Sequence, residues 1–295
     1  MSAIAIESPN PDALLRAGNT NCAGCGMSIG LKWLGEALAT DRPYLSIPAC
    51  CGIVTAGAFP TSSYGVPTAA TTFASAPAVA SGITTVAALN GEKHPVVVWA
   101  GDGGTYDIGI ATLSAAAERD EEMIYICYDN EIYGNTGGQR SSATPEGAVT
   151  TTTPKGKSER KKDIMAIMAA HRIPYAATLS VAHRDDFMRK MELARTTKGF
   201  RFLLMLSPCP TGWKSSPDES VELIDTAVRS GLFPLYEVFG GERYRINARP
   251  DGTPVEEYLS RQRRYSGSAL APDLVRERIA TQWAYLEAME KAFPV

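Results

Sequence analysis

Five short runs, Tyr44 to Pro48, Val96 to Ala100, Met123 to Tyr128, Tyr175 to Leu179 and Phe202 to Leu206, are rich in Val, Ile, Tyr and Leu. Runs of this kind predict strands buried on both faces. Between them, Met27 to Ala39, Ile108 to Arg119, Arg160 to His171 and His183 to Thr197 place apolar residues at i, i+3 and i+4, the stripe of an amphipathic helix. Strand and helix therefore alternate, which predicts an α/β fold with a mostly parallel sheet covered by helices on both faces. From Leu235 the pattern changes to charged sequence punctuated by Gly240-Gly241 and Pro250-Asp251-Gly252, with a basic cluster at Arg261, Arg263 and Arg264. A last helix, Pro272 to Ala292, carries Val275, Ile279, Trp283, Leu286 and Met289 on one stripe, which suits packing on its own domain or on a partner chain equally well. The expected division is a main α/β unit over residues 1–234 and a C-terminal extension over residues 235–295.

Composition narrows the function. Of 295 residues, 29 are basic and 32 acidic, giving a net charge of −3, and 44% are hydrophobic. That leaves no basic field for nucleic acid and no polybasic membrane anchor, and favours small-molecule chemistry. The first sixteen residues carry Glu7, Pro9, Pro11 and Asp12 in place of a basic start and an apolar core, so they do not read as a signal peptide. The small, apolar-leaning stretch Val66 to Leu89 is broken by Pro67, Pro77 and Gly82 and does not read as a membrane span. A cytoplasmic protein is expected. Six cysteines, at 22, 25, 50, 51, 127 and 209, are too few for a disulfide scaffold and suit reduced thiols or metal ligands.

The run from Val96 ends in Gly101-Asp102-Gly103, and the run from Met123 ends in Asp129-Asn130-Glu131-Ile132-Tyr133-Gly134-Asn135-Thr136-Gly137-Gly138-Gln139. Open α/β sheets bind ligands at such strand ends. Glycine lets backbone approach closely, and a carboxylate there suits a hard cation better than a bare phosphate. With 26 residues between Gly103 and Asn130, one β-α-β unit returns the chain to the same edge, so Asp102 and Asn130 can meet. Asp102, the Asn130 amide and the Ile132 carbonyl would then give three oxygens to Mg²⁺, leaving positions for diphosphate and water.

The second constellation is sulfur. Cys22-Ala-Gly-Cys25 precedes a helix and admits three readings: a redox dithiol, half of a zinc site or half of an iron–sulfur site. His94, His171 and His183 show no ligand-like spacing. Cys51 and Cys209 each follow a predicted strand and could complete a Cys₄ site, with Cys50 beside it and Cys127 a small buried hydrophobe. From spacing alone, zinc and a 4Fe-4S cluster are comparable.

Four motifs in one order resemble the β, thiamine-binding, subunit of the 2-oxoacid:ferredoxin oxidoreductases, most of all the pyruvate type. They are Cys22-Ala-Gly-Cys25-Gly, Pro48-Ala-Cys-Cys51, Gly101-Asp-Gly with Asp129-Asn through Pro145, and Pro208-Cys-Pro-Thr-Gly-Trp213, spread from about Gly18 to Lys214. The stretch Thr150 to Lys157 also resembles the pyruvate rather than the 2-oxoglutarate type. The resemblance implies thiamine diphosphate and Mg²⁺ held by Gly101, Asp102, Gly103, Asn130, Ile132, Asn135, Thr136 and Gly137. Asp102, Asn130 and Ile132 would bind the metal, and Asn135 would lie near the reactive carbon as the catalytic residue. It implies one 4Fe-4S cluster on Cys22, Cys25, Cys51 and Cys209, although Cys50 stands where the family usually has Gly. It further implies oxidative decarboxylation of a 2-oxoacid, pyruvate first, with coenzyme A as co-substrate and ferredoxin as acceptor. The family's partner α subunit, with γ and δ subunits in some assemblies, would supply the acid for the aminopyrimidine, in a dimer of heteromers. Oxalate, branched-chain, aryl and 2-oxoglutarate substrates stay open. So do a non-redox decarboxylase or carboligase with structural zinc, and a cluster-bearing subunit without catalysis.

Overall fold

The computed structural model describes residues 13–55, 62–268, 270 and 272–295. Residues 1–12, on which the reading of the N-terminus mainly rests, lie outside the described residues. In chain order the elements are α1 (Gly26–Ala37), β1 (Tyr44–Pro48), α2 (Cys51–Val54), β2 (Thr68–Thr71), α3 (Ala76–Leu89), β3 (Val96–Gly101), a π-helical turn (Gly103–Asp107), α4 (Ile110–Glu118), β4 (Met123–Asp129), α5 (Ile164–Ala170), β5 (Tyr175–Ser180), α6 (Arg184–Thr196), β6 (Phe200–Leu206), α7 (Pro210–Trp213), α8 (Ser220–Arg229), β7 (Leu235–Phe239), β8 (Arg243–Ala248), α9 (Val255–Ser260) and α10 (Pro272–Ala292).

The strands form one eight-stranded sheet in the order β2-β1-β3-β4-β6-β5-β7-β8. The first six in that order run parallel, and β7 and β8 are added antiparallel at one edge. Every residue of β3, β4, β5 and β6 is buried, so both faces of the sheet are covered and the apolar runs need no alternation. The sheet starts outward from β1 in both directions, to β2 and then to β3. That reversal opens a crevice at the C-terminal ends of β1 and β3. Cys51 follows β1 and Asp102 follows β3 at this edge, and Asn130 and Cys209 follow β4 and β6 beside them.

Two helices are shorter than their apolar stripes predict. The stripe from Ile108 becomes α-helical only at Ile110, because Gly103–Asp107 forms the wider π turn; such turns recur at functional sites. The stripe from Arg160 becomes helical at Ile164, after Asp163 accepts the backbone N–H of Ala166 at 2.9 Å and caps the helix. Lys161 is thereby left outside the helix, where it serves the site described below. The first strands of the charged tail, β7 and β8, belong to the same sheet as the rest. Helix α10 packs on its own chain: Val275, Trp283 and Leu286 are buried, and the Trp283 indole donates to the Gly231 carbonyl at 2.9 Å. Among the described residues no helix is long and apolar enough to cross a membrane.

Candidate active site

Parallel pairing of β3 with β4, in the register Gly101 to Tyr128, brings the two acid-bearing strand ends side by side. The terminal amide atom of Asn130 lies 3.1 Å from Asp102 Oδ1 and 2.7 Å from the Ile132 carbonyl oxygen. With the amide nitrogen turned inward it donates to both; with the oxygen inward, three oxygens converge with no donor between them. Adjacent ligands of an octahedral Mg²⁺ lie about 2.9 Å apart, given metal–oxygen distances of 2.0–2.1 Å. The oxygen-inward arrangement therefore has the edge lengths of a magnesium site. Between the two ligand residues, Glu131 is held at φ +62°, and this left-handed residue folds the loop so that the Asn130 amide and the Ile132 carbonyl meet.

The charges beneath the loop point the same way. Asp102, Asp129 and Glu131 are all buried. Glu131 pairs with Lys161 at 2.8 Å and with Arg264 at 2.7 Å, and Asp129 pairs with Lys161 at 2.6 Å. Asp129 also accepts from the Tyr106 hydroxyl at 2.7 Å. Asp102 has no ion-pair partner among the described residues; it accepts a hydrogen bond from the Ser141 hydroxyl. Burial, and then the charge of Asp129, push its carboxyl well above the ordinary carboxylate range. Of the three buried carboxyl groups, Asp102 is the one that neither Lys161 nor Arg264 pairs with, and a divalent ion bound there would favour its ionised form. Glu131 is held below the ordinary range: burial works against ionisation but is outweighed by Lys161 and Arg264.

The four cysteines lie on three segments strapped together by backbone bonds. The Gly26 N–H donates to the Pro208 carbonyl at 3.0 Å, tying the Cys22–Cys25 turn to Cys209, and the Thr20 N–H donates to Thr55 at 3.0 Å, tying it to the helix that begins at Cys51. A Cβ at Gly26 would collide with Pro208, so this approach requires glycine. All six cysteines are free thiols. Cys51 is pushed up to about 12, by burial first and then by Cys209, Cys50, Cys25 and Cys22. Cys209 is pushed up to about 11 by burial, with Cys25 and Cys22 adding to it. Each thiol is thus within electrostatic reach of the others, although among the described residues no three His, Cys, Asp or Glu side chains close on a single metal ion. Cys50 is held differently: its carbonyl accepts the Ile53 and Val54 N–H groups at 3.1 Å each, the Gly52 N–H beside it donates to the Tyr128 hydroxyl at 3.1 Å, and burial pushes its thiol up.

The two constellations touch. The Trp213 indole donates to the Asn130 carbonyl at 2.7 Å, and Cys209 Sγ accepts from the Gly212 N–H at 3.4 Å. Cβ atoms placed on Gly134 or Gly212 would lie 3.6 Å and 3.2 Å from the same sulfur. Gly101 and Gly103 flank Asp102 in the buried strand end, and a Cβ at Gly103 would overlap the Tyr133 ring. Asn135, Thr136 and Gly137 are exposed on the loop that Tyr133 and Gln139 close by a β-bridge. Sequence patterns missed Ser141, Lys161 and Arg264. The basic cluster around Arg264 was visible as a cluster, but its partner Glu131 lies 133 residues away. A cavity of about 540 Å³ lies behind the loop, lined by Glu131, Tyr106, Lys161 and Tyr236, and excludes Asp102 and Asn130.

Residues 50–205 match the family described as thiamine pyrophosphate enzyme, C-terminal TPP binding domain. Ketoisovalerate oxidoreductase subunit VorB of Pyrococcus horikoshii is 41% identical over 94% of this chain and 93% of its own. Pyruvate synthase subunit PorB of Methanocaldococcus jannaschii is 44% identical over 84% of this chain and 87% of its own. The fold is also that of a 2-oxoglutarate:ferredoxin oxidoreductase from Magnetococcus marinus, at TM-score 0.63 and 21% identity over 94% of this chain and 97% of that one. A strand-end oxygen triad of this kind and relatives of this length lead to one conclusion: the chain belongs to the thiamine diphosphate-binding β subunits of the 2-oxoacid:ferredoxin oxidoreductases.

Proposed function

We propose that this chain is the catalytic β subunit of a coenzyme A-dependent 2-oxoacid oxidoreductase that decarboxylates pyruvate oxidatively and passes the electrons to ferredoxin through one 4Fe-4S cluster. The observation that carries this reading is the convergence of the Asp102, Asn130 and Ile132 oxygens beside the Cys209 turn. Asp102, Asn130 and the Ile132 carbonyl would hold Mg²⁺, and Gly101 and Gly103 would let a diphosphate approach the strand end. Cys22, Cys25, Cys51 and Cys209 would hold the cluster, each giving up its thiol proton to bind iron. Bound thiamine diphosphate supplies the electron sink for loss of CO₂, and a cluster accepts electrons one at a time.

This chain's residues then position and insulate. Trp213 and Ser141 orient the metal ligands. Asn135 stands on the exposed loop, where a substrate arriving from a partner's side would meet it. The proton donor for the aminopyrimidine is assigned to a partner α subunit, because the buried Glu131 is engaged by two cations and Asp129 by Lys161 and Tyr106. Ketoisovalerate is the second reading, favoured by the relative that spans 94% of the chain.

The test is reduction of ferredoxin by the anaerobically purified complex with coenzyme A, comparing kcat/KM for pyruvate, ketoisovalerate and 2-oxoglutarate. The highest value for pyruvate, with acyl-CoA and CO₂ formed in equal amounts, supports the proposal. A higher value for ketoisovalerate replaces the substrate, and CO₂ release without ferredoxin reduction defeats the redox mechanism.

A further inference from the structure

Arg264 follows α9 in the charged C-terminal segment, yet it is 2% exposed, whereas its neighbour Arg263 is exposed. Its guanidinium carbon lies 4.2 Å from the centre of the Trp213 ring. One guanidinium nitrogen donates to Glu131 Oε2 at 2.7 Å and to the Tyr258 hydroxyl at 3.3 Å. Its Nε is buried with no hydrogen-bond partner among the described residues. Through Glu131 it holds the left-handed residue that separates Asn130 from Ile132. Through Trp213 it backs the ring that donates to the Asn130 carbonyl and that closes the turn presenting Cys209, whose carbonyl accepts the Trp213 N–H at 2.7 Å. A rigid, planar, permanently charged fork suits this double duty in a way a lysine ammonium does not. A residue in a sparsely populated backbone conformation persists only when its surroundings fix it.

We propose that Arg264 is a positioning residue that clamps the Asn130–Ile132 loop and the Cys209 turn together, so that the C-terminal segment governs metal–diphosphate affinity and the electrostatic setting of the thiol cluster at once. The inference rests on the functional reading above. The Arg264 guanidinium lies 4.2 Å from the ring centre of Trp213, whose backbone N–H bond to the Cys209 carbonyl closes that turn, and this sets a permanent positive charge beside it.

The test compares the assembled complex as wild type, R264K, R264Q and R263Q. Hydrogen exchange is followed over residues 130–134 and 209–214, together with the Mg²⁺-dependent dissociation constant for thiamine diphosphate and the cluster midpoint potential by EPR-monitored titration. R264Q is expected to speed exchange in both segments, weaken thiamine diphosphate binding at least tenfold and move the midpoint to a more negative value. R264K, which keeps the charge and loses the fork, is expected to weaken binding while leaving the midpoint near that of the wild type. R263Q should match the wild type throughout. Unchanged exchange and binding in R264K and R264Q overturn the proposal, and if R264Q does not assemble, R264K alone decides it. A wild type without thiamine diphosphate or cluster signal defeats the functional reading, and the exchange data then judge the clamp by themselves.

Discussion

The indole of Trp213 donates to the backbone carbonyl of Asn130 across 2.7 Å, joining the turn that presents Cys209 to the loop that presents two candidate metal ligands. Both residues are buried, so the bond is made away from water. Trp213→Phe keeps the ring and leaves that carbonyl unpaired, which costs about 1–3 kcal/mol. The urea midpoint should fall accordingly and thiamine diphosphate should bind more weakly. Trp283→Phe removes a comparable bond, to Gly231 at 2.9 Å, that joins neither the Asn130 loop nor the Cys209 turn. It should lower stability without touching thiamine diphosphate affinity, so an equal loss of affinity in both variants would show that the Trp213 bond has no special relation to the site.

Asp102 has no ion-pair partner among the described residues, and burial pushes its carboxyl well above the ordinary range. Asp102→Asn keeps the shape and removes the ionisable group, so the metal-free protein should be as stable as the wild type or more so. Mg²⁺-dependent binding of thiamine diphosphate, measured by calorimetry, should weaken at least tenfold. Tight binding by the variant would place the metal elsewhere.

Adjacent cysteines are separated by their partners. Burial, and then the charges of Cys209, Cys50, Cys25 and Cys22, push the Cys51 thiol up, whereas Cys50 sits beside the Tyr128 hydroxyl that accepts the Gly52 N–H at 3.1 Å. Cys51→Ser is expected to lose cluster iron, and Cys50→Ser to keep it. The reverse outcome in an iron assay would exchange their roles.

Lys157 is buried and donates to the carbonyls of Thr144 at 2.7 Å and Ser142 at 3.2 Å. Burial, and then the charge of Arg140, lower its amine to about 8 from the ordinary 10.5. The unfolded chain therefore binds more protons between about pH 8 and 10.5, and stability rises with pH across that window, by at most about 1.4 kcal/mol per pH unit. Below pH 8 the penalty is fully present. Lys157→Met should abolish this rise; denaturation curves at pH 8 and pH 10 for the two proteins show whether it does.

Much of this architecture was legible in the sequence because the central strands are covered on both faces and read as unbroken apolar runs. Val96 to Ala100 and Met123 to Tyr128 each fall one residue short of the observed strand. The edge strands were not legible: β2 is the four residues Thr68–Thr71, and β8 carries exposed Arg243 and Arg245 where an apolar run would be sought. Helix α3 hid in the Ala- and Thr-rich stretch Ala76–Leu89, whose apolar moment is weak because small residues pack without a stripe. The meeting of Asp102 with Asn130 followed from one β-α-β spacing. The meeting of Glu131 with Arg264 depends on the whole fold, and no local pattern encodes it.

A site for thiamine diphosphate and a thiolate-held cluster side by side on one chain is most directly tested by metal content. Iron, acid-labile sulfide, zinc and magnesium should be measured per chain on the complex purified anaerobically, with thiamine diphosphate quantified in the same sample. The expected result is about four irons with matching sulfide beyond any cluster on partner subunits, lost in Cys51→Ser, and one thiamine diphosphate with magnesium. Zinc in place of iron, persisting after attempted cluster reconstitution, would contradict the electron-transfer role and leave a non-redox thiamine enzyme.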